Sequence, residues 1–126
     1  MHKKRKNLNN LYYDIHIVEA LKNLPVPLTT FDGHEVWFDE DKRKETIYEH
    51  IANKKHHLHV VDIKRVPQIL KDKESLKIDK NGKNLRIYLG RRGKQTEKPY
   101  YLKIITHIKM NNKESVVTIY PDKKLL

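Results

Sequence analysis

The sequence predicts an α+β domain in which N-terminal helices and a small hairpin pack on a four-stranded antiparallel β-sheet. Three observations predict it. The last third alternates apolar and polar residues between turn signals, notably Asn81-Gly82 and Asn111-Asn112. The first half carries apolar residues at helical spacing. The 126 residues suit one domain with one modest core.

The elements follow in order. Met1 to Lys6 is a basic arm. Leu8, Leu11, Tyr12, Ile15, Val18 and Leu21 approximate one apolar stripe, which predicts a helix from about Asn7 to Asn23, ended by Pro25 and Pro27. Leu28 to Asp39 reads as a small hairpin turning at Asp32-Gly33. A second helix is expected from about Asp41 to Lys55, with acids in its first turn and Lys54, Lys55 and His56 at its end, matching the helix dipole. Val66 to Leu70 looks like a short helix with Pro67 in its first turn. A meander follows: Leu76 to Lys80, a type I′ turn at Asn81-Gly82, Lys83 to Gly90, Tyr100 to Met110, and Glu114 to Tyr120. Arg91 to Pro99 is a basic loop.

Charge narrows the function. Lys plus Arg number 27 against 16 Asp plus Glu, a net charge of +11 that favours a polyanionic partner. The excess is local, because Lys83, Arg86, Arg91, Arg92 and Lys94 fall between Gly82 and Thr96 with no acid among them. Without cysteine there is no disulfide and no cysteine-based zinc site. With no long apolar run and no apolar segment behind the basic start, the expectation is a cytoplasmic chain without a membrane partner.

Strand alternation sorts the sheet into two faces. Leu85, Ile87 and Leu89, with Leu102, Ile104, Thr106 and Ile108 and with Val117 and Ile119, form the expected buried face. Arg86 and Tyr88, with Tyr101, Lys103, Ile105, His107 and Lys109 and with Val116, Thr118 and Tyr120, fall on the other. Cations, hydroxyls and rings on one surface suit RNA, and equally describe an ordinary solvated sheet face.

Tyr48 to His59 concentrates His50, His56, His57 and His59 with Lys54 and Lys55. Histidine moves protons near neutral pH and lysine stabilises phosphate charge. His50, His57 and His59 as zinc ligands lack the His-Glu-x-x-His spacing, so no metal or other cofactor is expected. The loop Gly90-Arg91-Arg92-Gly93-Lys94 lacks the Gly-Lys-Ser/Thr ending of a P-loop and reads as a phosphate clamp or a solvated turn. Metal-free RNA cleavage needs an acid, a base and cations on the developing charge, which His50 with Arg86, Lys103 and Thr118 can supply.

Glu49-His50-Ile51 with Lys55-His56, then Val66-Pro67-Gln68-Ile69-Leu70, Tyr101 to Ile105, and Val116-Val117-Thr118-Ile119-Tyr120 stand in an order that resembles the barnase–EndoU–colicin–RelE nuclease superfamily. The nearest likeness is to its barnase–EndoU-like domains in phage and mobile-element proteins. The resemblance spans roughly residues 31–120. It implies a metal-independent endoribonuclease acting by 2′-hydroxyl transesterification, as a toxin or mobile-element effector. It implies catalytic roles for His50, for Lys55 or His56, and for Thr118 and Tyr120, with Arg86 and Lys103 added mainly by face sorting. Lys54, Tyr88, Arg91, Arg92, Lys94, Tyr101 and His107 are the expected nucleic-acid contacts. RNA is the expected partner, an acidic inhibitor or antitoxin protein a second, and delivery with a phage or mobile-element particle an alternative location. Two other functions stand beside this one: a non-catalytic nucleic-acid-binding module, and a phage- or plasmid-associated structural protein.

Overall fold

The computed structural model describes residues 11–39, 46–93 and 98–123, with Asn81 described in its backbone alone. Lys94, the basic arm and the start of the expected second helix lie outside the described residues. The class is α+β, as expected. The sheet, however, has six strands in the order β1-β2-β6-β5-β4-β3 rather than four.

Helix α1 (Ile15–Lys22) is shorter than the apolar stripe suggested. The Asp14 carboxylate accepts from the His16 N–H at 2.9 Å, satisfying a first-turn donor and starting the helix there. Ile17, Val18 and Leu21 are its buried side. Strands β1 (Leu28–Thr29) and β2 (Glu35–Trp37) form the expected hairpin, and Gly33 takes the left-handed conformation (φ 85°) in its turn. Helix α2 (Ile47–Ile51) is capped by Thr46, whose hydroxyl accepts from the Glu49 N–H at 3.1 Å. It stops at Ala52, and a separate one-turn 3₁₀ helix, Lys54–His56, carries the residues expected at its end.

Helix α3 (Val60–Lys71) is the main correction among the helices. It was expected only over Val66 to Leu70 with Pro67 in the first turn; instead Pro67 sits inside a helix that begins seven residues earlier than Pro67. Burying Ile63, Val66, Ile69 and Leu70 along one side offsets the hydrogen bond that proline forfeits.

Strands β3 (Leu76–Lys80), β4 (Leu85–Arg91), β5 (Tyr101–Lys109) and β6 (Lys113–Asp122) make the antiparallel meander. The β3–β4 connection is a 3₁₀ turn, Asn81–Lys83, followed by left-handed Asn84, in place of the expected type I′ turn. The four-stranded description fails because β2 pairs in parallel with β6, matching Val36 to Glu114. Such a long-range pairing leaves no mark on the pattern of either strand.

The face sorting also fails in part. In the β4–β5 register Arg86 lies opposite Thr106 and Tyr88 opposite Ile104, so Arg86 and Tyr88 share the helix-covered face with Leu102 and Ile104. Leu85 and Ile87 lie opposite His107 and Ile105, on the other face. In β6 the register shifts between Ile105 and Thr106, whose partners are Thr118 and Val116. The extra residue is Val117, which is exposed, while Val116 and Ile119 are both buried.

The buried position of Arg86 is explained by acids. Its guanidinium donates to Asp32 Oδ2 at 2.6 Å and to Glu114 Oε2 at 2.9 Å, and lies 3.4 Å from Asp79. Glu114, fully buried, also accepts from the Tyr88 hydroxyl at 2.8 Å, the Thr106 hydroxyl at 2.7 Å and His34 Nδ1 at 2.8 Å. The network therefore fastens the β1–β2 hairpin to β4, β5 and β6. The bond to Arg86, opposed by burial, holds the Asp32 carboxyl well below the usual carboxylate range. The same bond raises the Arg86 guanidinium, and burial raises the Tyr88 phenol.

Removing one partner of such a buried pair leaves the other charge unpaired. Glu114→Ala is expected to lower unfolding free energy by about 3–5 kcal/mol in denaturant titration. Because the folded-state pKa of Asp32 is depressed, its contribution is present above the unfolded carboxylate value of about 4 and is lost as pH falls below it. Acid titration of Asp32→Asn is expected to show a shallower loss of stability over that window.

Candidate functional site

The histidine-rich stretch is held by backbone bonds on both sides. The Asp14 N–H donates to the Ala52 carbonyl at 2.8 Å, and the Lys54 N–H to the Tyr12 carbonyl at 2.9 Å. The Asn53 side chain accepts from the Lys55 N–H at 3.1 Å and starts the 3₁₀ turn. His57 then adopts the left-handed conformation (φ 54°), turning the chain into α3.

Within this frame His56 is oriented for chemistry. Its Nδ1 lies 2.9 Å from the Ile51 carbonyl oxygen. A carbonyl only accepts, so Nδ1 carries the hydrogen and Nε2 is the nitrogen that can take up a proton. The ring stands edge-on to His50, 6.0 Å between centroids, and 6.0 Å from Tyr120 on β6. The sequence left Lys55 and His56 as equal candidates. The structure separates them: Lys55 is an exposed side chain at the rim, and His56 is the half-buried, oriented one.

Tyr120 links this turn to the sheet. It lies opposite Lys103, whose ammonium is 5.5 Å from the Tyr120 ring centroid and forms an ion pair with Asp122. Burial alone lowers the Lys103 pKa, but the Asp122 bond and Tyr120 outweigh it, so the ammonium is held above its ordinary value. Asp122 is lowered, chiefly by that same bond. Thr118 is on the same face of β6 as Tyr120, one pleat repeat away. His50, His56, Tyr120, Lys103 and Thr118 therefore form one neighbourhood.

A cleft of about 420 Å³ opens beside it, lined by Lys55, His56, His57, Lys98, Pro99, Tyr120 and Pro121, with Arg92 at its base. Arg92 was expected to bind nucleic acid; it is buried and serves the frame instead. Its Nη2 donates to Asp62 Oδ2 at 2.8 Å and to the His57 carbonyl at 3.2 Å, and its Nη1 to the Pro99 carbonyl at 3.0 Å. One side chain thus ties α3, the histidine stretch and the loop after β4 together. Gly93 completes the fit, since a Cβ there would lie 2.5 Å from the Val61 carbonyl oxygen. Asp62 was missed in the sequence, although an acid three residues after His59 is a helix-start signal, and its carboxylate accepts from the His59 N–H at 2.9 Å.

The other expected residues are scattered. Arg86 and Tyr88 are inside, in the Glu114 network, and contribute no side chain to this cleft. Arg91 and Tyr101 lie opposite each other on β4 and β5, the guanidinium 5.4 Å from the Tyr101 ring. Lys54 is exposed near Asp14 and His59, on another side of the histidine stretch. His107 is opposite Ser115, four residues from Lys103 along β5, or about 14 Å away.

Among the described residues one group has metal-ligand spacing: Asp32, His34 and Glu114, with ligand atoms within 4.8 Å of one another. The Arg86 guanidinium already bonds both carboxylates, so a cation is in place there. Among the described residues no helix is long and apolar enough to cross a membrane. Comparison with protein families, with curated proteins and with solved structures finds no match.

Neighbouring Arg91 and Arg92 are expected to respond differently to the same change. Arg92→Met leaves Asp62 buried and unpaired and should cost about 3–5 kcal/mol of stability in denaturant titration. Arg91→Met removes an exposed side chain and should stay within about 0.5 kcal/mol of the parent.

Proposed function

We propose that the chain is an endoribonuclease that cleaves RNA by 2′-hydroxyl transesterification in the cleft beside His56. The observation that carries this reading is the His56 ring, its Nδ1 bonded to the Ile51 carbonyl, set between His50 and Tyr120. A histidine fixed in one tautomer beside a second histidine is what paired acid and base catalysis needs. The order of sequence motifs that resembles the barnase–EndoU–colicin–RelE superfamily supports the same reading, as does the net charge of +11.

The step balances without a cofactor. His56 Nε2 accepts the proton of the 2′-hydroxyl as O2′ bonds to the adjacent phosphorus. His50 gives a proton to O5′ as the P–O5′ bond breaks. The products are a 2′,3′-cyclic phosphate and a 5′-hydroxyl. Lys55 at the rim and the Lys103 ammonium beside Tyr120 supply positive charge for the phosphorane oxygens. Thr118 and Tyr120 offer hydroxyls from β6. A toxin or mobile-element effector countered by an acidic inhibitor protein fits such an activity, as does a cytoplasmic or particle-delivered setting.

A second reading, a nucleic-acid-binding module without catalysis, is favoured by one observation. Of the cations expected to stabilise the transition state, Arg86 is withdrawn into the Glu114 network and Lys103 is paired with Asp122.

End-labelled single-stranded RNA incubated with the chain in EDTA separates the two. The nuclease reading predicts 2′,3′-cyclic phosphate ends, with cleavage reduced at least about 100-fold in His56→Ala and in His50→Ala. Intact RNA bound in a salt-sensitive manner would leave the binding module standing. Cleavage undiminished in both variants would place the chemistry elsewhere.

A further inference from the structure

A second pocket, of about 400 Å³, adjoins the cleft and is formed by Pro99, Tyr100 and Tyr101 with Lys98 and Lys123 at its edge. Lys98 and Pro99 line both spaces, so the pocket and the cleft are neighbours. We propose that this pocket is a nucleobase subsite, which takes the base of the nucleotide next to the phosphate seated in the cleft. The inference rests on the nuclease reading for the position of that phosphate, and names what lies beside it.

The chemistry of the walls favours a base over other occupants. The walls are rings, the half-buried faces of two tyrosines and a proline, and among the described residues no acidic side chain lines the pocket. The edge is cationic, from Lys98 and Lys123. Arg91 is 5.9 Å from the Tyr100 ring and 5.4 Å from the Tyr101 ring, adding a third positive charge beside the same aromatic pair. An uncharged apolar side chain would use the rings and leave the cations idle. A nucleotide uses both, the base stacking on tyrosine and the flanking phosphates meeting the cations. Tyr101 is positioned for this by β5, where it stands opposite Arg91 and Asp122, two residues from Lys103 on the same face. The subsite is thus built on a strand continuous with the proposed catalytic neighbourhood.

The test measures binding of a short, uncleavable 2′-O-methyl oligonucleotide to the full chain by fluorescence anisotropy. A matched series has one base removed at each position in turn. In the parent chain, base removal at one position is expected to weaken binding about tenfold, the typical size of one base–aromatic stack. Tyr101→Leu and Tyr100→Leu should weaken the intact oligonucleotide similarly and bind the abasic one at that position as the parent does. Tyr100→Phe, which keeps the ring, should restore the difference. Equal weakening of intact and abasic oligonucleotides would overturn the subsite, and affinity indifferent to base removal at every position would leave the rings to an apolar protein side chain. The readout is independent of cleavage. A chain that cuts no RNA yet keeps the base-dependent difference loses the nuclease reading alone, a chain that cuts RNA without that difference loses the subsite alone, and one that binds neither oligonucleotide loses both.

Discussion

The pair Arg92–Asp62 is the constraint on which the candidate site depends. Both side chains are buried, and the guanidinium spends its remaining donors on the carbonyls of His57 and Pro99. Three chain segments far apart in sequence meet at that one group. A buried ion pair is weak evidence for net stability, because desolvation offsets much of the attraction. Its contribution is specificity of place: no apolar residue could satisfy two backbone carbonyls and a carboxylate at once. The turn that carries His56 is short, exposed on one side and without a core of its own, so its position is set from below.

A second buried arginine does comparable work at the other end of the sheet. Arg86 bonds Asp32 and Glu114, and joins the β1–β2 hairpin to the meander. These two networks change what the net charge of +11 means. Two cations that look like phosphate ligands in the sequence are neutralised internally by Asp32, Glu114 and Asp62. Among the described residues, the positive charge at the edges of the cleft and pocket comes from Lys55, Lys98 and Lys123, with Arg91 beside the tyrosine pair.

Much of the fold was legible, and what was not has identifiable causes. The meander was visible because apolar and polar residues alternate along most of it and two of its turns fall at Asn81-Gly82 and Asn111-Asn112. The phase of β4 was lost because Arg86 and Tyr88 look solvent-facing while Leu85 and Ile87 look buried, and only the acids waiting in the core reverse that reading. Val117 broke the alternation of β6 by one bulged residue. The parallel partnership of β2 with β6 joins strands some eighty residues apart and is invisible to local pattern. The site was partly legible for a related reason. His50, His56, Tyr120 and Lys103 follow one another in ring and cation contacts, with Thr118 one pleat repeat along β6, while Arg86, expected beside them, is bonded to Asp32 and Glu114 instead. The preference for His56 over Lys55 rests on a hydrogen bond to the Ile51 carbonyl, which no spacing rule could supply.

The central claim is that RNA is held against His56, Tyr120 and Lys103, not against Arg86 and the acids around it. Backbone and side-chain NMR spectra, followed during titration with an uncleavable single-stranded RNA analogue, test it most directly. The account predicts that signals of His56, Tyr120 and Lys103 shift together while the Arg86 guanidinium and the Glu114 amide stay in place. Shifts centred on Asp32, His34 and Arg86, with His56 and Tyr120 unmoved, would contradict it.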